Sequence, residues 1–378
     1  MQYYRFGRVV VPEGGLFDDY DSAIAFIESL EEEVISEMVK DLSFTTDADG
    51  TLSVLINNKR FFITLSALKD LCKHLKIPAG FINKFPGRDL VLENLNNNPY
   101  LKENSDLVKL VIWKGEEQPV IAGVLPGEDP AMSAGEFLSL MNDGQAFERE
   151  TTKLDQIAFT GEEMVVYFYL PEEMSREGYG FNLGFALHYS ATRPVDTFVL
   201  PFGKMSVVAN TGEPFDFDFE TGTKLHVGRR KREDFLDKTI ELGQTYIGDD
   251  LGVLYEDFTK YGMVARNIDS VKFAILKAFK SKATGTYNYS GMKLDPNDVA
   301  AETIPEFKQF ASANREQLKS MATYSANNLP VNFFLPVFLN RIFTMQANIE
   351  NPYFMVRYRK TIGGVLNKML DEVGDVVL

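Results

Sequence analysis

Apolar residues recur at three- and four-residue steps through DDYDSAIAFIESLEEEVISEMVKDL. Ala23, Ile27, Leu30, Val34 and Met38 share one side of a helical wheel and glutamates cover the rest, which predicts an amphipathic helix through this acidic stretch. The period then changes. TLSVLINNKRFFITL is two alternating runs joined at Asn57-Asn58, and asparagine tolerates the positive φ of a tight hairpin turn. SALKDLCKHLKIPAGFINKFP reads as a helix capped by Ser66, with Leu68, Leu71, Cys72 and Leu75 on one face and Pro78 ending it.

A second strand pair, LVKLVIW and PVIAGVL, flanks a turn at Gly115. SAGEFLSLMNDG then opens with the capping box Ser133–Glu136. MVVYFYL, FNLGFALHYS, TFVLPF and KMSVVAN follow between Gly, Pro, Asn and Asp punctuation, and short links between consecutive strands imply an antiparallel sheet. From about residue 230 the period turns helical in REDFLDKTIELGQTYIGDDLGVLYEDFTKYG, SVKFAILKAFKSK and a segment interrupted at Pro305. The expected class is α+β, with an antiparallel strand-rich N-terminal and central part and a mainly helical C-terminal part. Three regions follow: an acidic N-terminal helical segment (1–50), a mixed, strand-rich domain (51–228) and a mainly helical region (229–378).

Composition narrows the class. The apolar share of 45% and charged share of 25% are those of a folded globular chain. The longest apolar run, LPVNFFLPVFLNRIF, is interrupted by Pro330, Asn332, Pro336 and Asn340 and is too short to cross a bilayer. The N-terminus lacks the apolar core of a signal peptide. One cysteine, Cys72, excludes an intramolecular disulfide and points to a reducing cytoplasm, that of a host bacterium, with virion association as the alternative. The net charge of −15 is uneven: residues 1–50 carry twelve acids and three bases, whereas residues 221–293 carry thirteen bases and nine acids. Global acidity disfavours indiscriminate phosphate binding but leaves room for a local basic surface.

Familiar catalytic signatures are absent: no phosphate-binding glycine loop, no nucleophile elbow and no H-E-x-x-H. No cofactor is expected. His74, His188 and His226 are not at metal-ligand spacing from one another. Cys72 falls on an apolar stripe and reads as packing rather than as a thiolate paired with His74. His188 lacks a partner identifiable from sequence and reads as a structural histidine.

PFDFDFET places Asp216, Asp218 and Glu220 on one face of a strand and Phe215, Phe217 and Phe219 on the other. Three such carboxylates are candidate oxygen ligands for Mg²⁺ or Ca²⁺, and with His226 for the Mg²⁺ or Mn²⁺ of a metal-dependent enzyme; the alternative is an amphipathic strand with its acids in water. The basic stretches carry the other candidate. TKLHVGRRKRED holds Lys224, His226, Arg229, Arg230, Lys231 and Arg232, with no acid before Glu233. Cations at a helix start oppose the macrodipole, which suits the location to an incoming phosphate; the alternative is a solvated face. Lys277, Lys280 and Lys282 precede a Gly/Ser/Thr loop bearing Tyr287 and Tyr289, so these lysines would follow a strand's phosphates while the rings stack on bases. RYRKT, residues 357–361, is a third, weaker patch.

Three segments carry a resemblance. FFITLSALKDLCKHLKIPAGFINKFPGRDLVLENLN, GFALHYSATRPVDTFVLPFGKMSVVANTGEP and KLHVGRR, spanning about residues 50–230, resemble in order a phage- and plasmid-borne family known as domain of unknown function 932. His226 and Gly228 match its R-x-R-H-x-G element with Lys224 in an arginine position. Lys204 and Ala209 depart from its arginine and cysteine types, and its Asn-Gly doublet is split by Thr211. The resemblance implies a mobile-element origin and a role in nucleic-acid transactions or against host defence, with no reaction to transfer.

The resulting expectation is a non-enzymatic, homo-oligomeric protein that associates with single- or double-stranded DNA through its basic segments. The alternatives are a virion or host-defence-interaction protein using the acidic N-terminal helix as its partner surface, and a metal-dependent nucleic-acid enzyme built on Asp216, Asp218 and Glu220.

Overall fold

A computed structural model describes, with short gaps, residues 14–143 and 152–228; beyond these it describes Tyr3–Tyr4, Gly7–Arg8, and parts of 235–241, 265–267, 328–330 and 351–364. In chain order the strands are β1 (Tyr3–Tyr4), β2 (Gly7–Arg8), β3 (Gly15–Phe17), β4 (Glu32–Met38), β5 (Ser43–Thr46), β6 (Leu52–Ile56), β7 (Lys59–Ile63), β8 (Leu107–Trp113) and β9 (Val120–Pro126). They continue with β10 (Lys153–Phe159), β11 (Met164–Tyr169), β12 (Met174–Arg176), β13 (Tyr179–Tyr189), β14 (Phe198–Val208), β15 (Pro214–Glu220) and β16 (Leu225–His226). β17 (Ala265–Asn267) and β18 (Asn328–Pro330) form a separate antiparallel pair. The helices are α1 (Tyr20–Ser29), α2 (Leu65–His74), α3 (Arg88–Asn96), the single turn α4 (Pro99–Lys102) and α5 (Ala134–Asp143). Residues 352–353, 355–360 and 362–364 are also helical.

Two sheets dominate. The first runs β4-β8-β9-β7-β6-β5, antiparallel except where β7 pairs parallel with β9. The second is eight-stranded, β15-β14-β13-β11-β10-β3, with β12 added on β13 and β16 on β14. The acidic first fifty residues thus supply strands to both sheets. α2, α3 and α4 cover one face of the first sheet, where Leu71, Leu75, Val91, Leu95 and Leu101 meet Val54, Val108, Leu110 and Ile121. α1 and α5 pack on the second sheet through Ile27, Phe137, Leu138, Phe168, Phe185 and Leu187. Gly123 of β9 lies against the Thr192 backbone, where a Cβ would not fit, so the loop after β13 meets the first sheet directly.

The α+β expectation with a mainly helical C-terminal part is corrected by this architecture. The described residues form a strand-rich, two-sheet fold with few helices. The helical pattern beyond residue 230 lies mostly outside the described residues; within them, Phe235, residues 237–239, Glu241 and part of 352–364 are helical, while β17 and β18 are strands. The long acidic helix is corrected too. It is capped by Asp19, whose carboxylate accepts from Ser22 N–H at 2.7 Å, and it stops at Ser29. Glu31 then takes φ 48, which reverses the chain, and Glu32–Met38 emerges as a strand on β8. Val34 and Met38, which fit the helical stripe at i, i+4, also fit a period of two, and sheet pairing decided between the readings.

Other local signals behave as the residue types require. Asn57 and Asn58 sit at φ 50 and 65, the doubly left-handed turn that joins β6 to β7. α2 is capped two residues earlier than Ser66: Thr64 Oγ1 accepts from Ala67 N–H at 3.2 Å and donates to Ala122 O at 3.1 Å. At α5, Ser133 Oγ accepts from Glu136 N–H and Glu136 Oε2 accepts from Ser133 N–H, a complete capping box. Cys72 is buried in the α2 core, and burial pushes its thiol up to about 12, far from a reactive thiolate.

Candidate functional site

The site lies on the face of the second sheet opposite α1 and α5. Strand alternation puts Tyr167 of β11, Ala186 and His188 of β13, and Phe202 and Lys204 of β14 on this face, together with Asp218 and Glu220 of β15. The helical residues 355–360 pack over it, Val356 joining Ala158, Val165, Tyr167, Ala186 and Phe202 in a small core.

His188 is 1% exposed, and both ring nitrogens face carboxylates. Nδ1 is 2.6 Å from Glu163 Oε1, and Nε2 is 2.9 Å from Glu220 Oε2. A tight turn sets Glu163 in place. Thr160 Oγ1 accepts from the N–H groups of Glu162 and Glu163 and donates to Glu163 O, while Gly161 takes φ 82. Ser190 and Thr192 hydroxyls donate to Glu162 O, tying that turn to the end of β13. Lys360 then donates to both oxygens of Glu163 at 3.0 and 3.1 Å. On the far side Tyr167 OH donates to Glu220 Oε1 at 2.8 Å.

Burial disfavours the imidazolium, but Glu220 and Glu163 outweigh it and raise the His188 pKa. Glu163 is held below its ordinary range although burial opposes this, because Lys360 and His188 face it. Glu220 is likewise lowered against burial, chiefly by His188. Next along the sheet, Arg359 donates to Asp218 Oδ2 at 2.6 Å, lies 3.9 Å from Asp155, and stacks 4.0 Å from the Tyr167 ring centroid. Lys204 completes the row at 3.3 Å from Asp155.

Beside this network opens a cavity of about 630 Å³. His188 stacks on Phe198, with centroids 4.5 Å apart, and Lys224 Nζ lies 4.0 Å from the Phe198 ring centroid. Further round the wall are Arg193, His226 and, from the C-terminal helical residues, Tyr353, Arg357 and Lys360. The fixed cations Arg193, Lys224, Arg357 and Lys360 face the carboxylates of Glu162, Glu163 and Asp196. Four fixed cations against three carboxylates leave the wall net positive on a chain whose formal charge is −15.

The structure brings together some of the sequence-derived residues. Lys224 and His226 line the cavity, His226 being 3.7 Å from Asp196. Arg229, Arg230, Lys231, Arg232, Lys277, Lys280, Lys282, Tyr287 and Tyr289 lie outside the described residues, as does the Asp216 side chain. Asp218 and Glu220 are engaged by Arg359, His188 and Tyr167, and no group of three metal-ligating side chains occurs among the described residues. Glu220 is 3% exposed and Asp218 is paired with Arg359, so these two acids of β15 are not turned to water as the amphipathic-strand alternative expected. His188, which had no partner visible in sequence, has two. The RYRKT patch divides: Arg359 and Lys360 ion-pair with the sheet, while Arg357 and Lys360 reach the cavity.

Sequence reasoning did not find Glu163, Tyr167, Arg193 or the pairing roles of Arg359 and Lys360. Gly161 after Thr160 marked a turn, but not that it would aim Glu163 at a histidine. No helix among the described residues is long and apolar enough to cross a membrane. No protein-family model matches the chain, and neither a curated protein nor a solved structure matches it.

Proposed function

We propose that this is a phage- or plasmid-encoded, non-enzymatic protein that binds nucleic acid, with the cavity between β16 and the C-terminal helical residues as part of its phosphate-contacting surface. The observation that carries this reading is convergence. Lys224 and His226 begin one basic stretch of the sequence, Arg357 and Lys360 belong to another, and both line one cavity. Clustered cations on an acidic protein concentrate anions locally. The walls also offer Tyr189, Val195 and Tyr353, the mixed apolar and charged lining that a nucleotide needs. The engagement of both His188 nitrogens by carboxylates supports a binding role over proton transfer to a substrate. The likeness of residues 50–230 to a mobile-element family agrees with this reading.

Fluorescent single- and double-stranded DNA titrated across salt tests it. Log affinity is expected to fall linearly with log salt, by about 0.7 per neutralised phosphate on single strands and about 0.9 on duplex. Replacing Lys224, Arg229, Arg230, Lys231 and Arg232 together by Ala should remove several units of that slope. Absence of binding by the intact protein even at low salt ends the proposal.

A further inference from the structure

The six-stranded sheet treats its two edges differently. At β5 the edge is plugged: Asn96 Oδ1 accepts from Phe44 N–H at 2.7 Å and its Nδ2 donates to Phe44 O at 2.9 Å, so one carboxamide takes the place of a neighbouring strand. At β4 nothing comparable is described. β4 pairs with β8 on one side, and among the described residues no strand lies on the other. The outer backbone edge of Glu32–Met38 thus has no strand partner among the described residues.

The side chains around this edge sort by face. Val34 and Met38 are 47% and 40% exposed, and Leu107, the register partner of Met38, is 47% exposed, so exposed apolar side chains stand on one face with Ser36 between Val34 and Met38. Glu33, Ile35 and Glu37 alternate on the other. Glu33 lies 3.5 Å from Lys114, both half-exposed, and Glu37 accepts from Asn57 at 3.2 Å. Glu31 and Asp41 flank the strand and outweigh Lys40, so the segment is acidic overall. A second copy is a poor occupant. Antiparallel self-pairing centred on Ile35 sets Glu33 opposite Glu37 twice, and like charges directly opposed are destabilising. An extended segment alternating basic and apolar residues meets both faces: cations beside Glu33 and Glu37, apolar side chains against Val34, Met38 and Leu107.

We propose that β4 is a docking edge for a basic, extended peptide segment of a partner protein, which adds a seventh strand to this sheet. Backbone pairing supplies the affinity and the alternating faces supply the selectivity. This places the acidic partner surface on a strand edge instead of the N-terminal helix, and it stands independently of nucleic-acid binding at the cavity.

The test uses the full chain and a labelled nine-residue peptide of alternating lysine and valine, followed by fluorescence anisotropy. Controls are the same peptide N-methylated at alternate amides and a peptide with glutamate in place of lysine. The unmodified peptide should bind, the N-methylated one at least about tenfold more weakly, and the glutamate peptide not at all. A Val34→Ser/Met38→Ser variant, which leaves charge unchanged at two exposed positions, should also lose about tenfold. Equal affinity for the N-methylated peptide means charge attraction without strand addition and overturns the proposal, as does unaltered affinity of the double variant. Sedimentation showing that the free protein is a dimer, dispersed by the same variant, assigns the edge to a second copy instead.

Discussion

Arg359 and Asp218 are 141 residues apart in sequence and 2.6 Å apart in space, and their contact fastens the C-terminal helical residues to the second sheet. Arg359 is 2% exposed and also faces Asp155, whose pKa is raised by burial and by Asp218. One guanidinium thus holds two carboxylates together against their mutual repulsion, with the Tyr167 ring beneath it.

Removing that guanidinium should be severe. Arg359→Met takes from the half-buried Asp218 its ion-pair partner and leaves Asp155 with Lys204, and a broken buried pair costs about 3–5 kcal/mol. Arg359→Met with Asp218→Leu should recover much of the loss, since an apolar replacement of both partners is often tolerated. Urea unfolding of the two single variants and the double variant measures this; a loss below about 1 kcal/mol in Arg359→Met contradicts the reading.

The His188 network predicts a two-sided pH profile. Because the His188 pKa is raised on folding, its contribution is complete below the ordinary histidine value of 6.5 and fades as pH climbs through the raised value. Glu163 and Glu220 are lowered, so their contribution is present above about 4.5 and is lost on acidification. Thermal midpoints followed from pH 3 to 10 should fall at both ends, and His188→Gln should reduce the alkaline fall and, because His188 also holds Glu163 and Glu220 down, weaken the acid limb as well. An unaltered alkaline limb in that variant would sink the assignment.

Glu32 behaves in the opposite sense. Burial lifts its pKa to about 7, although the neighbouring Ala134 backbone and Trp113 side chain favour the carboxylate. The folded state therefore favours the protonated acid, and stability drains away as pH rises from about 4.5 to 7. Glu32→Gln should be near neutral at pH 4 and stabilising at pH 8, by about 1–3 kcal/mol. Equal effects at the two pH values would refute this.

At the β6–β7 turn, Asn58 holds φ 65. Asn58→Val should destabilise by about 1–2 kcal/mol, because a β-branched residue resists the left-handed region, whereas Asn58→Gly should cost nothing measurable. Chemical denaturation of both variants gives the comparison.

Legibility followed the range of the physics involved. The hairpin at Asn57-Asn58, the capping box at Ser133–Glu136 and the apolar face of α2 depend on neighbours within four residues, and each was readable from residue type. The fate of Glu32–Met38 was not, because its apolar positions satisfy both periods and β8, far along the chain, settled the matter. The candidate site was legible only in fragments. Lys224 and His226 were visible as part of a basic stretch, but His188 gains meaning from Glu163 and Glu220, which sheet register and one tight turn bring to it. Arg359 and Lys360 looked like surface charge because nothing local records that carboxylates lie beneath that turn of helix.

The carboxamide of Asn96 has a consequence for how many copies or partners can be joined through this sheet. A ribbon open on both sides can lengthen without limit, and each added strand exposes a fresh template. With β5 occupied by Asn96, growth through the six-stranded sheet has one direction only. Any strand received at β4 ends against a module that cannot pass the interaction on, so this sheet acts as a terminus in an assembly and not as a link in a fibre.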